Sequence, residues 1–118
     1  MRDYDSFCNE IFNIDKRIRY VGIIDEHRTY QKMRKGLQNL LTMEESRESM
    51  EDAMLRWKTR KKLAEKVGQP LYAMAIYEKV KRFTFQFDND GLILVSMDTS
   101  GYHEVVLQEI IHIKNKFL

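Results

Sequence analysis

The spacing of apolar positions changes along the chain, and each spacing predicts a different element. Over residues 5–14, apolar side chains recur with helical periodicity and place Phe7 and Ile11 on one face. Residues 18–25 are rich in β-branched and aromatic side chains, which is typical of a strand that is covered on both faces. The pattern in residues 29–33 is less regular, and we interpret this segment as a short second strand.

A long helix is predicted over residues 42–67. Thr42 and Glu45 match a capping box, in which the hydroxyl and the carboxylate each satisfy a backbone N–H group. The helix should end at Gly68 and Pro70, because glycine permits a left-handed cap and proline cannot continue a helix. Apolar residues at helical spacing form its predicted buried face: Met43, Met50, Ala53, Met54, Trp57 and Ala64.

Three strands are predicted next, over residues 71–77, 80–87 and 92–97. In the second of them, Phe83 and Phe85 alternate with polar side chains, so the aromatic rings share one face. The connections between these strands are too short for a parallel crossover, and the strands must therefore be antiparallel. The resulting fold class is α+β, with a five-stranded antiparallel sheet flanked by helices in the order α-β-β-α-β-β-β-α, as a single domain over 1–118.

The last helix, predicted over residues 102–117, is apolar on two sides. Its main stripe consists of Tyr102, Val105, Val106, Ile110, Ile113 and Phe117. A second strip is formed by Leu107, Ile111 and Leu118. A helix that is apolar on two sides is usually covered on two sides, so this strip is the candidate interface of a homodimer. The alternative is that another helix of the same chain covers it.

Composition places the chain among globular proteins. Of its 118 residues, 43% are hydrophobic and 32% are charged, and 20 Lys and Arg against 18 Asp and Glu give a net charge of +2. Dedicated nucleic-acid binders are usually more basic, so such a partner is not expected. The sequence contains no run of about 18 apolar residues that would cross a membrane. With one cysteine, Cys8, and no signal-peptide pattern, we expect a cytoplasmic protein.

The sequence contains no pattern that predicts catalysis, a metal or a cofactor. The residues that bind transition metals most often are scattered: Cys8, His27, His103 and His112. No glycine-rich phosphate loop is present. Thr99 and Ser100 precede His103, but hydroxyl residues at this place are better explained as helix caps. We therefore expect a protein that is not an enzyme.

The most distinctive surface feature is a basic cluster on the long helix. The residues of this basic cluster are Arg56, Lys58, Arg60, Lys61 and Lys62. One interpretation is a solvated helix exterior, balanced by the glutamates of the same helix. The other is a binding surface for an anionic partner.

The order of elements, with a meander that leads into a C-terminal helix, resembles the roadblock and profilin-like group of domains. The sequence looks most similar to an archaeal family of uncharacterised roadblock-like proteins. Short segments carry this resemblance: residues 18–25 (IRYVGIID), 34–37 (RKGL), 40–41 (LL), the acidic cap at 44–45 (EE), the basic stretch of the long helix at 56–60, and 68–70 (GQP). Relatives tend to have glycine in the first hairpin, where this chain has Glu26, His27 and Arg28.

The resemblance implies a non-catalytic interaction module that acts as a homodimeric regulatory or scaffolding platform, for a small GTPase or a larger complex. An alternative function is a sensory domain that binds a small apolar or aromatic ligand between sheet and helix, in a pocket lined by Tyr20, Phe83, Phe85 and Phe87. A third alternative is nucleic-acid binding through the basic cluster.

Overall fold

The computed structural model describes residues 3–25, 28–88 and 90–117. In chain order the elements are α1 (Tyr4–Phe12), β1 (Ile18–Ile24), β2 (Thr29–Met33), α2 (Met43–Lys61), α3 (Ala64–Val67), β3 (Tyr72–Ile76), β4 (Lys81–Gln86), β5 (Leu92–Met97) and α4 (Glu104–Phe117). The predicted α+β class and order are confirmed. The long predicted helix is interrupted after Lys61, and its last turn is the separate helix α3.

The five strands form one antiparallel sheet in the order β2-β1-β5-β4-β3. The predicted second strand is confirmed, since β2 pairs with β1 from Tyr20 opposite Met33 to Ile24 opposite Thr29. The sequence-distant pairing of β1 with β5 places the first and last strands in the centre, which leaves β2 and β3 as the two edges. Glu26 and His27, which follow β1 in the sequence, lie outside the described residues.

One face of the sheet is covered by α1 and α4 and contains the larger core. Phe83, Phe85 and Phe87 are each at most 1% exposed and belong to this core, as their alternation in the sequence predicts. Aromatic rings connect the layers: the Phe7 ring centroid is 4.7 Å from that of Phe117 and 5.6 Å from that of Phe87. This cluster therefore holds α1, α4 and the end of β4 together.

The other face is covered by α2. Met50, Ala53 and Trp57 pack on Tyr20, Leu92 and Leu94 in a smaller core. The helix approaches the sheet closely at Gly22, where an added Cβ would lie 2.9 Å from Met50 Cε and would overlap the Tyr20 hydroxyl. The capping box at Thr42 and Glu45 is confirmed.

Met43, which was expected on the buried face of α2, is instead 92% exposed, because this first helical residue extends beyond the smaller core.

The face of α4 that contacts the sheet differs from the predicted one. Leu107 is 2% exposed and belongs to the larger core, and Ile111 packs against the same core. By contrast, Tyr102 and Val105 of the predicted main stripe are 87% and 77% exposed. The assignment of Leu107 to a dimer interface is therefore wrong, since a single chain already buries it, and Ile111 is only partly exposed. Leu118, the third residue of that strip, lies outside the described residues.

Candidate interaction surfaces

The edge strand β3 presents its backbone to solvent on one side. The Tyr77 N–H group donates to the Val80 carbonyl oxygen at 2.9 Å, which identifies Tyr77 as a residue whose amide points towards β4. Because amides alternate along a strand, those of Ala73 and Ala75 also point towards β4. The N–H and C=O groups of Tyr72, Met74 and Ile76 therefore point away from the sheet, along the open edge.

The side chains along this edge are apolar and exposed. Tyr72, Met74 and Ile76 are 38%, 53% and 55% exposed, and Leu71 and Tyr77 on either side are more than half exposed. The strand itself, with the sequence YAMAI, contains no charged residue. We call these five residues, Leu71, Tyr72, Met74, Ile76 and Tyr77, the β3 edge patch.

The opposite edge of the sheet is protected. The Lys32 ammonium of β2 pairs with the Asp5 carboxylate of α1 at 2.7 Å, and the Tyr30 hydroxyl donates to the same carboxylate at 2.6 Å. A lysine and a helix contact are two devices by which natural sheets prevent pairing at an edge. The β3 strand itself contains no lysine or other charged residue. The β2 edge is therefore protected against pairing with another strand, and the β3 edge lacks this protection.

The basic cluster of α2 is divided between two sides of the helix. Arg56 and Arg60 line a narrow groove between α2 and β3, whereas Lys58 and Lys61 line a separate groove beside Trp57. Lys62 is the C-cap residue, where a cation interacts favourably with the helix dipole. Arg56, Lys58, Arg60 and Lys62 are exposed, and Lys61 is partly buried. The basic cluster therefore does not form one continuous surface, and its role in binding stays a prediction.

A cavity with a volume of about 590 Å³ lies on the α2 side of the sheet. It is located between the connector before α2 and the turn between β3 and β4. Six apolar residues line it: Tyr20, Met33, Leu40, Leu41, Tyr77 and Val80. Two arginines of the sheet, Arg19 and Arg82, also line it. This volume is in the usual range for small-molecule sites.

The three phenylalanines expected to line a ligand pocket do not line this cavity. Phe83, Phe85 and Phe87 are fully packed on the α1 and α4 side, while Tyr20 lies on the α2 side. That grouping was wrong because residues of neighbouring strands share a face only when their pairing register aligns them, and the register is not local information.

His103 is held by a buried lysine. Lys81 is 6% exposed, and its Nζ donates to the Gly101 carbonyl oxygen at 2.6 Å and lies 3.1 Å from His103 Nδ1. An ammonium group has only donors, so Nδ1 of His103 is the acceptor in this contact. The imidazole also packs on the Phe83 ring. These contacts give His103 a structural role rather than that of a base beside Ser100.

Within residues 3–25, 28–88 and 90–117, no group of three or more His, Cys, Asp or Glu side chains is arranged to hold a metal ion. Cys8 is fully buried, and this burial raises the pKa of its thiol to about 12. No helix of the described chain is both long and apolar enough to cross a membrane.

An ion pair joins the loops at one end of the sheet. Arg17 donates through Nε and Nη2 to the two carboxylate oxygens of Asp15, both at 2.9 Å, and through Nη1 to the Ser100 carbonyl oxygen at 2.6 Å. The hydrogen bonds from the Arg17 side chain lower the pKa of the Asp15 carboxyl to about 2. Asp15 thus orients the arginine that ties the start of β1 to the loop before α4.

Asp15→Asn is expected to destabilise the fold at neutral pH and to have little effect in strong acid. Because the folded-state pKa is lowered, the ionised carboxylate contributes stability above its unfolded pKa of about 4. That contribution is lost as the pH falls through the folded value of about 2. Urea unfolding of both proteins across this range should show two stability curves that converge in acid. Asp52→Asn, at an exposed position of α2, is the control, and its stability curve should follow that of the unmodified protein at every pH. If the Asp52→Asn protein is also less stable at neutral pH and equally stable in acid, the pH-dependent contribution cannot be assigned to Asp15.

Sequence reasoning missed both the β3 edge patch and the cavity. The sequence did contain one signal for the patch. Of the five predicted strands, only residues 71–77 and the last strand, residues 92–97, contain no charged residue. That signal becomes informative only once the strand is known to lie at an edge. The cavity had no local signal, since its walls come from six separate parts of the chain.

No family model matches the chain, and no curated protein matches it. Several solved structures, in contrast, match the chain. The chain is similar to a roadblock/LC7 domain from Streptomyces avermitilis, with a TM-score of 0.71 and 8% identity, over 97% of this chain and 93% of that one. It is also similar to the gliding protein MglB from Thermus thermophilus, with a TM-score of 0.69 and 9% identity, over 96% and 86% of the two chains.

A third solved structure, described as MglB with tetrameric arrangement, covers 98% of this chain and 92% of its own, with a TM-score of 0.63 and 10% identity. These likenesses extend over nearly the whole length of each protein. The chain therefore has the roadblock/LC7 fold, which confirms the fold that the sequence resemblance implied. Membership of the archaeal family stays a prediction.

Proposed function

We propose that this protein is a non-catalytic interaction module that forms a homodimer through β3 and acts as a regulatory or scaffolding platform in the cytoplasm. The observation that carries this proposal is the β3 edge patch, where unpaired backbone groups and exposed apolar side chains coincide. An edge strand of this kind is a template for pairing with another chain. The whole of residues 1–118 would form one protomer.

A second copy of the chain fits this edge well. Two β3 strands related by a two-fold axis pair in antiparallel orientation, so the outward N–H and C=O groups of each strand would satisfy those of the other. Tyr72, Met74 and Ile76 would then lie beside the same residues of the second copy and lose much of their exposed apolar surface. Such pairing merges two five-stranded sheets into one of ten strands.

The comparisons support self-association without deciding its geometry. One similar structure, an MglB, has a tetrameric arrangement, so at least one protein with this fold associates with itself. Our assignment of the interface to β3 rests on this chain's own residues.

Introducing charge into the β3 edge patch is expected to give a folded monomer. Met74→Glu with Ile76→Glu places four like charges along the shared edge of a dimer, and both positions are more than half exposed in the single chain. Light scattering after size exclusion should show half the mass of the unmodified protein, with the same circular dichroism spectrum. Met43→Glu, at an apolar position that is 92% exposed on α2, is the matched control and should remain dimeric. A double variant with unchanged mass would place the interface elsewhere.

Antiparallel pairing of two β3 strands places both α2 helices on the same side of the extended sheet, because the two-fold axis is perpendicular to it. We assign partner binding to the basic cluster of these helices: Arg56, Lys58, Arg60, Lys61 and Lys62. The positive charge of the basic cluster is complementary to an acidic protein surface. The resemblance to roadblock proteins implies a small GTPase or a larger complex as the partner.

Charge reversal on α2 is expected to weaken partner binding and leave the fold intact. Exposed lysines and arginines contribute little stability individually, so Arg56→Glu, Lys58→Glu and Arg60→Glu together should shift the thermal midpoint only slightly. In a comparative pull-down, a protein partner retained by the unmodified chain should be lost by this variant. Glu44→Lys with Glu48→Lys, on the same helix, is the control. Salt-dependent binding of generic duplex DNA that the reversal abolishes would instead assign the surface to nucleic acid.

A further inference from the structure

Of the two guanidinium groups that line the cavity on the α2 side of the sheet, one has no counter-ion. Arg82, in the middle of the sheet, is partly buried and directs Nη2 to the Ser49 hydroxyl at 2.5 Å. No described carboxylate lies within ion-pairing distance of its guanidinium. A guanidinium has five N–H donors in a planar fork that matches a carboxylate, so most of its capacity to bind an anion is unused.

The other charged groups of the cavity largely cancel each other. Arg19 is paired with Asp98, with Nη1 and Oδ1 3.1 Å apart. Lys79 and Glu78, both at the exposed turn between β3 and β4, carry opposite charges. The wall therefore has one uncompensated positive charge, that of Arg82, which a single negative charge would neutralise.

The other residues that line the cavity could contact the apolar part of a ligand. Leu40 and Leu41 from the connector, Met33 from β2 and Val80 from the β3–β4 turn line the same space as Arg82. Leu40 is 58% exposed, which is costly for a leucine that has no cover. Burial of this side chain against a ligand would recover part of that cost.

We propose that this cavity binds an amphipathic monocarboxylate, such as a medium-chain fatty acid, with its carboxylate on Arg82 and its alkyl chain against Leu40, Leu41 and Met33. One carboxylate matches the one guanidinium that lacks a counter-ion. A phosphate monoester dianion would bring one charge more than the wall compensates. The site is separate from the β3 dimer proposal and does not depend on it.

Methionine methyl groups provide a direct test, because the chain has methionines inside and outside the cavity. In the full chain with ¹³C-methyl methionine, decanoate is expected to shift the Met33 resonance saturably and to leave that of Met97, fully buried in the other core, unchanged. Decanol, which lacks the charge, and acetate, which lacks the chain, should each bind at least tenfold more weakly. Decyl phosphate serves as the second anion and should also bind more weakly than decanoate.

Two variants separate the charge from the apolar wall. Arg82→Gln is expected to weaken decanoate binding at least tenfold, while Arg56→Gln, an exposed arginine outside the cavity, should leave it unchanged. Leu40→Asp, at an exposed position that the fold tolerates, should also abolish binding. The proposal is overturned if decanoate causes no saturable shift of Met33, if decanol binds equally well, or if a folded Arg82→Gln binds as tightly as the unmodified chain. Shifts confined to the exposed Met43 and Met74 would indicate surface adsorption and would overturn it as well.

Discussion

Met74→Pro and Ala73→Pro, two neighbouring substitutions in one strand, are expected to give opposite results. The Met74 amide points out along the open edge of β3, so proline there removes no hydrogen bond within the single chain. Its ring would nevertheless block a second strand from pairing. Met74→Pro should therefore give a monomer with a near-native unfolding midpoint.

Ala73→Pro, in contrast, removes an amide that bonds to β4 and should destabilise the sheet itself. Circular dichroism and light scattering of the two variants separate these effects. A Met74→Pro variant that unfolds, or an Ala73→Pro variant as stable as the unmodified chain, would contradict the strand geometry on which the dimer proposal depends.

Phe7→Ala is expected to cause a large loss of stability. Phe7 is fully buried, and its ring contacts both Phe87 and Phe117, so its removal leaves a cavity where α1 meets α4 and the sheet. Truncations of this kind cost about 3–5 kcal/mol. That is a large fraction of the roughly 5–15 kcal/mol by which a domain is stable.

Urea unfolding gives this difference directly. Phe7→Leu keeps an apolar side chain of similar volume and is the control, with an expected loss below about 1.5 kcal/mol. A Phe7→Ala variant that loses less than the leucine variant would show that α1 does not pack on the sheet as described.

Much of the fold could be predicted because its signals are local. The alternation around Phe83 and Phe85, the capping box at Thr42 and the closely spaced meander each depend on a few neighbouring residues. The structure confirms all three. The order of elements followed from them, and with it the five-stranded sheet.

The errors concern features that depend on distant parts of the chain. Val105 and Leu107 belong to two different apolar strips of α4, and only the docking of α4 on the sheet decides that Leu107 is buried and Val105 is exposed. The identity of the edge strand likewise depends on the pairing of β1 with β5, far apart in sequence. The candidate interface therefore included Leu107, which a single chain buries, and self-association remains a proposal.

Hydrogen exchange at individual amides of β3 tests that proposal most directly. The amides of Ala73 and Ala75 bond to β4 within one chain, and those of Tyr72, Met74 and Ile76 point outward. If two chains pair through β3, the outward amides of the unmodified protein should exchange slowly, with protection similar to that of Ala73 and Ala75. Fast exchange at Tyr72, Met74 and Ile76 beside slow exchange at Ala73 and Ala75 would contradict a dimer built on this edge.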